Sequence, residues 1–168
     1  MSLGEALADA RAPYPTREEA SWHVAMSHHR RKIINNRLQE RAAAKETDKI
    51  IVDGETPYHC FAGTKLNGTS STLKPSVNGA FLLVTKVSPE TVSLKDEDTG
   101  LEFEVSPSQL VEHTRLRWAL TIRSAQGRSL SGTVAIRDVR SRPFSTTHLR
   151  MALSRATDGA NVWTAPAY

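Results

Sequence analysis

Thr121-Ile122-Arg123-Ser124-Ala125-Gln126-Gly127 and, about two dozen residues later, Met151-Ala152-Leu153-Ser154-Arg155-Ala156 decide how this 168-residue chain is read. The first stretch is an apolar strand running into a Gln-Gly turn. Glycine there permits a tight reversal and a close approach of backbone to a ligand. The second stretch is helical: Leu149, Ala152, Leu153 and Ala156 recur at helical spacing, after Ser145 or Thr146 as a cap, which predicts a helix ending near Ala156. At 3.6 residues per turn, Arg155 stands roughly 100 degrees or more off the centre of that stripe. Taken alone, an arginine there is a solvated helix residue. The small residues around it let a guanidinium emerge from a crowded surface, and a planar, permanently charged, bidentate group suits a γ-phosphate.

Outward from these two stretches the chain alternates strand and helix at both ends and is β-rich between. Residues 22–26 read as a short apolar strand, Ser27 as an N-cap, and the following residues to about 44 as a helix with Ile34, Leu38 and Ala42 on one face. Residues 50–52 form a second strand. From 57 to 113 the pattern is β with turns. Residues 66–79, rich in Asn, Gly, Ser, Thr and Pro, predict a mobile loop. Val92 and Leu94, then Leu101, Phe103 and Val105, alternate with polar residues across the turn Asp96-Glu97-Asp98-Thr99-Gly100, which is a hairpin pattern. Several short strands within about 60 residues predict a small closed barrel. Residues 116–122, 133–139 and 161–164 return as strands of an α/β domain that the barrel interrupts. Residues 1–17 read as a leader or linker, with a short helix at 3–10.

With 22 Lys and Arg against 18 Asp and Glu, the formal net charge is +4, a balance compatible with a nucleic-acid partner. Its distribution is more telling. His28-His29-Arg30-Arg31-Lys32 sits in the first turn of a predicted helix, where the helix dipole makes each cation unfavourable by roughly 0.3–1 kcal/mol. A solvated charge run and an anion site, with helix N–H groups and basic side chains aimed at phosphate, are the two readings of that cluster. Arg115, Arg117, Arg123 and Arg128 make a looser second cluster, and Arg137, Arg140 and Arg142 a third. Cys60 is the single cysteine, which excludes an internal disulfide and suits a reducing, intracellular setting. The histidines lack zinc-ligand spacing, so no metal site is expected. No apolar run approaches the roughly 20 residues that cross a bilayer, so no membrane partner is expected. Gly-x-Ser-x-Gly, Gly-x-Gly-x-x-Gly and Gly-x-x-x-x-Gly-Lys-Ser/Thr do not occur.

In order and spacing, the two opening stretches resemble motifs V and VI of superfamily 1 DNA helicases. Residues 22–166 resemble the C-terminal half of the RecD-like and Pif-like branch of that family. Met26-Ser27-His28-His29-Arg30 through Asn35 looks like its motif IV region, and the segment from Asn78-Gly79 through the hairpin looks like its inserted SH3-like barrel. The resemblance implies an α/β fold: a discontinuous RecA-like (P-loop NTPase-type) domain from residues 18–57 and 114–168, interrupted by an SH3-like barrel at 58–113. Such a domain completes an ATP site across a cleft from the N-terminal RecA-like domain of the same parent chain and holds part of a single strand of nucleic acid, DNA in this family. Arg155 is then the arginine finger. Gln126, Gly127 and Ser129 lie near the nucleotide, and Thr121 touches the strand's phosphates; the anion-site reading adds His28, Arg30, Arg31 and Arg123. The family's motif V continues Thr-Ile-His-Lys-Ser-Gln-Gly, whereas Arg123, Ser124 and Ala125 replace the central triplet here. ATP and Mg²⁺ belong to the complete parent enzyme, and the chain alone is expected to bind neither and to be inactive. The alternatives are a non-catalytic nucleic-acid-binding module, a diverged and inactive helicase remnant, or an interaction domain built on the barrel.

Overall fold

The structure, a computed structural model, describes residues 20–70 and 78–164. In chain order the elements are β1 (Trp22–Ala25), α1 (His28–Ala43), β2 (Lys49–Val52), β3 (Tyr58–Phe61), β4 (Lys65–Gly68), β5 (Phe81–Val87), β6 (Val92–Asp96), β7 (Glu102–Val105), α2 (Pro107–His113), β8 (Thr114–Leu116), β9 (Ala119–Thr121), β10 (Val134–Ile136), α3 (Thr146–Leu153), a single 3-10 turn (Gly159–Asn161) and β11 (Val162–Thr164). They fall into two compact units. One closes at Ile34 and resumes at Ala119; the other runs Asn35–Trp118. These limits lie inside α1 and between β8 and β9.

The first unit carries a four-stranded sheet in the order β11-β10-β1-β9, with every pair parallel. All residues of β9, β10 and β11 are buried, as parallel strands covered on both faces require. This is the α/β pattern expected from the sequence. Ser27 caps α1 as expected, its Oγ accepting from the backbone N–H of Arg30 at 3.2 Å.

The buried line of α1 differs from the apolar stripe read in the sequence. Arg31, Asn35, Gln39 and Ala43 are buried at i, i+4, i+8 and i+12, together with Ile34, while Leu38 and Ala42 are only half-buried. The inward face is thus largely polar, and apolar spacing selects a neighbouring line. Gln39 shows how such a face is satisfied: its amide donates to His59 O and Thr64 Oγ1 and accepts from the Trp118 indole.

In the second unit β2 and β3 pair antiparallel, and a five-stranded antiparallel sheet runs β7-β6-β5-β4-β8. Val52, Leu66, Leu82, Leu94 and Leu110 are fully buried in its core. Cys60 belongs to the same core, where burial pushes its thiol up to about 12, against a hydrogen bond from Thr64. The hairpin is as expected, with Val92 opposite Val105 and Lys95 opposite Glu102. Asp96 Oδ1 accepts from the N–H groups of Asp98 and Thr99, and Gly100 takes φ +75, so the turn is closed by its own side chain and a left-handed glycine.

Three expectations are corrected. The sheet does not close into a barrel among the described residues: β7 and β8, of four and three residues, remain its edges, and β2-β3 pair separately. The predicted loop at 66–79 begins as β4, because Leu66 is fully buried and pairs with both Leu82 and Leu116; residues 71–77 lie outside the description. The predicted strand at 116–122 is two strands in different sheets. The Arg117 N–H donates to Lys65 O at 2.9 Å, whereas Ala119 is already registered with His23 of β1. The helix expected at 3–10 also lies outside the described residues. No described helix is long and apolar enough to cross a membrane.

Candidate functional site

In an open parallel sheet, ligands lie beyond the carboxyl ends of the strands, where the connecting segments diverge. Here three adjacent strands end together. Ala25 of β1 is level with Thr121 of β9, and Val24 is level with Ile136 of β10. The segments that leave this edge are 122–127 after β9, Met26-Ser27 and the first turn of α1 after β1, and 137–141 after β10. His28, Arg30, Arg123, Gln126 and Gly127 lie on the segments that leave this edge, and Thr121 is the last residue of β9.

After β9 the chain makes successive turns. Thr121 is buried, and its Oγ1 accepts from Ser124 N–H at 3.0 Å and pairs with Ser124 Oγ at 2.7 Å. Its hydroxyl is committed to shaping the turn. Arg123, Gln126, Gly127 and Ser129 are exposed. Gly127 takes φ +76, where a side chain would strain the backbone, which accounts for glycine after Gln126.

The basic cluster divides. His28 and His29 are exposed and Arg30 is half-buried, but Arg31 is 6% exposed and faces inward. Arg30 Nε lies 3.4 Å from Asp138 Oδ1. The basic residues of the other clusters divide in the same way: Arg117 and Arg137 are buried, whereas Arg140 and Arg142 are exposed.

The segment after β10 holds Arg137, of the third basic cluster, and Asp138, which sequence reasoning passed over. Arg137 is 1% exposed and donates from Nε to His23 Nδ1 at 3.1 Å, which places the imidazole proton on Nε2. Asp138 is buried and has φ +61, the one non-glycine left-handed residue among those described. Asp138 lies two residues beyond β10, inside the stretch 133–139 that reads as strand, so neither its place at the edge nor its backbone conformation left a signal in the sequence.

Arg155 is placed differently from the sequence expectation. Ser145 caps α3, with His148 completing the capping box through Nδ1, but the helix ends at Leu153 with Ser154 as its C-cap. Arg155 therefore stands in the turn beyond the helix. Its carbonyl accepts from Leu130 N–H at 2.7 Å, in a parallel bridge that pairs Leu130 with Ala156. Arg155 Nε and Nη2 donate to Ser154 Oγ at 3.2 and 3.0 Å. The bridge ties the Arg155 backbone to the residue after Ser129, and so to the end of the Gln-Gly segment. Among the described residues, no cluster of three His, Cys, Asp or Glu could hold a metal ion.

No family model matches the sequence, and no curated protein does either. Solved structures match nearly the whole chain. A structure of Pif1 helicases at forked double-stranded DNA covers 95% of this chain with a TM-score of 0.67 at 17% identity. The fold is that of part of a Pif1 helicase. The Bacteroides Pif1 helicase in complex with ADP-AlF3 and ssDNA covers 96% at a TM-score of 0.66 and 18% identity, and the Candida albicans Pif1 helicase covers 96% at 0.65 and 14%. The chain spans 42%, 45% and 49% of the length of these three Pif1 chains, less than half of each. The likeness is one of fold, and it agrees with the Pif-like resemblance carried by residues 121–127 and 151–156.

Proposed function

We propose that this chain acts as the second RecA-like domain of an ATP-dependent DNA helicase, supplying an arginine finger and part of a single-strand surface. The observation that carries this reading is the shared carboxyl edge of β9, β1 and β10, at which Arg30, Arg123 and Gln126-Gly127 emerge within a Pif1 fold. Residues 18–57 and 114–168 would form the RecA-like part, and residues 58–113 would take the place of its inserted SH3-like module. Phosphates of a single strand would meet His28, Arg30 and Arg123. Arg31 and Thr121, both buried, would support the edge from beneath. Gln126, Gly127 and Ser129 would couple it to a nucleotide, and Arg155 would reach the γ-phosphate. ATP and Mg²⁺ would be held mainly by an N-terminal RecA-like domain; a neighbouring Pif1 structure contains ADP-AlF3 and ssDNA.

The test is the salt dependence of single-strand binding by the purified chain. If about three phosphates are neutralised, log affinity should fall with log salt at a slope near −2, from about −0.7 per contact. Arg30→Ala should flatten the slope by about 0.7. Arg30 is the informative position because its buried neighbour Arg31 would confound binding with folding. Salt-independent binding, or an unchanged slope in folded Arg30→Ala, removes this edge as the interface.

A further inference from the structure

Arg30 cannot neutralise a phosphate fully while a carboxylate already neutralises it. In this structure its Nε lies 3.4 Å from Asp138 Oδ1, with the Arg30 side chain 38% and the Asp138 side chain 5% exposed. The carboxylate is therefore the buried, fixed member of the pair, and the guanidinium is the member with access to solvent. Asp138 has two further marks. Its φ of +61 is a left-handed conformation that side chains rarely adopt, though Asp and Asn tolerate it best. Its other oxygen, Oδ2, is buried without a hydrogen-bond partner, as is Ser141 Oγ three residues on, in the turn closed by Ser141 N–H donating to Asp138 O at 2.8 Å. Buried acceptors are ordinarily satisfied, and sharply bent backbone at a ligand-facing strand end is where function tends to lie. The residue is thus held in place by its turn and not by an optimised ion pair.

We propose that Asp138 governs Arg30: it holds the guanidinium at the carboxyl edge in a neutralised pair, and a nucleic-acid phosphate engages Arg30 by displacing it from Asp138. This rests on the proposed single-strand interface and deepens it. The strand must compete with an internal anion for one of its cations, so the edge binds single strands less tightly than its positive charges would allow.

Asp138→Asn is the decisive variant. Asparagine keeps the side-chain shape and tolerates positive φ, so the turn survives while the competing charge is lost. Wild type, Asp138→Asn, Arg30→Ala and the double variant are titrated with a fluorescent oligothymidylate at several salt concentrations. Asp138→Asn should bind several-fold tighter, on the order of fivefold at low salt, the scale on which a partly exposed ion pair competes. Its slope should stay as in wild type, because Arg30 meets the strand in both complexes. In the Arg30→Ala background the same substitution should change the affinity little. An unchanged or weaker affinity in Asp138→Asn overturns the proposal. So does a tightening that persists without Arg30, because the effect then comes from overall charge. Absence of binding by all four proteins overturns the single-strand interface, and this inference with it.

Discussion

In an intact ATPase containing this chain, Arg155→Ala is expected to slow ATP turnover by about 10³- to 10⁵-fold, roughly 4 to 7 kcal/mol of barrier, with little change in nucleotide affinity. A finger acts where charge develops on the transferred phosphoryl group, so its loss appears in rate more than in binding. Arg155→Lys should restore little, because lysine keeps the charge but lacks the planar fork. The structure makes the purely structural alternative concrete. Arg155 follows the last turn of α3, its backbone is anchored to Leu130, and its side chain donates to Ser154 Oγ. The anchoring uses the carbonyl, which alanine retains. If the side chain serves only that turn, Arg155→Ala lowers the melting temperature and leaves turnover per folded molecule intact. Rate and melting temperature measured on the same three proteins separate the two, and near-normal turnover removes the finger assignment.

The second large effect is expected in the β-rich unit, at Arg117. This arginine is 1% exposed, donates from Nε to Leu66 O at 3.0 Å, and lies with its guanidinium carbon 4.1 Å from the Phe81 ring centroid. Its Nη2 pairs with Glu97, whose side chain is 38% exposed. Arg117→Ala leaves a cavity and orphans the Leu66 carbonyl, which together should cost about 3 kcal/mol of unfolding free energy. Little of that loss belongs to Glu97, because water reaches it. Arg117→Met fills the volume without a buried charge but cannot donate to the Leu66 carbonyl. It should therefore recover the cavity share of the loss and leave the share of the orphaned carbonyl. Urea midpoints of the three proteins check this. An Arg117→Ala midpoint equal to wild type would show that the arginine is not holding β4 and β5 together.

What was legible in the sequence follows from where apolar periodicity carries the information. The hairpin from Val92 to Val105 has strict alternation and an Asp-to-Gly turn, and it forms as read. The parallel sheet is legible in its continuously apolar strands. The inward face of α1 was not, because Arg31, Asn35 and Gln39 line it and their burial depends on partners far along the chain, as the bond from Trp118 to Gln39 shows. Residues 116–122 look like one strand because both ends are apolar. Only the separate pairing of Leu116 with Leu66 and of Ala119 with His23 divides them. At the site, Gln126-Gly127 and Arg155 could be singled out by residue type and spacing. The role of Asp138 depends on its left-handed backbone and on Arg30, which is more than 100 residues away in sequence.

The central claim is that the carboxyl edge of β9, β1 and β10 meets single-stranded nucleic acid. Titration of isotope-labelled chain with a short oligothymidylate, followed by amide NMR shifts, tests it most directly. Shifts should concentrate at residues 26–30, 122–127 and 137–141 and fade as salt rises. Shifts confined to the β5–β6–β7 sheet, or no shifts at oligonucleotide concentrations in large excess, would contradict the account.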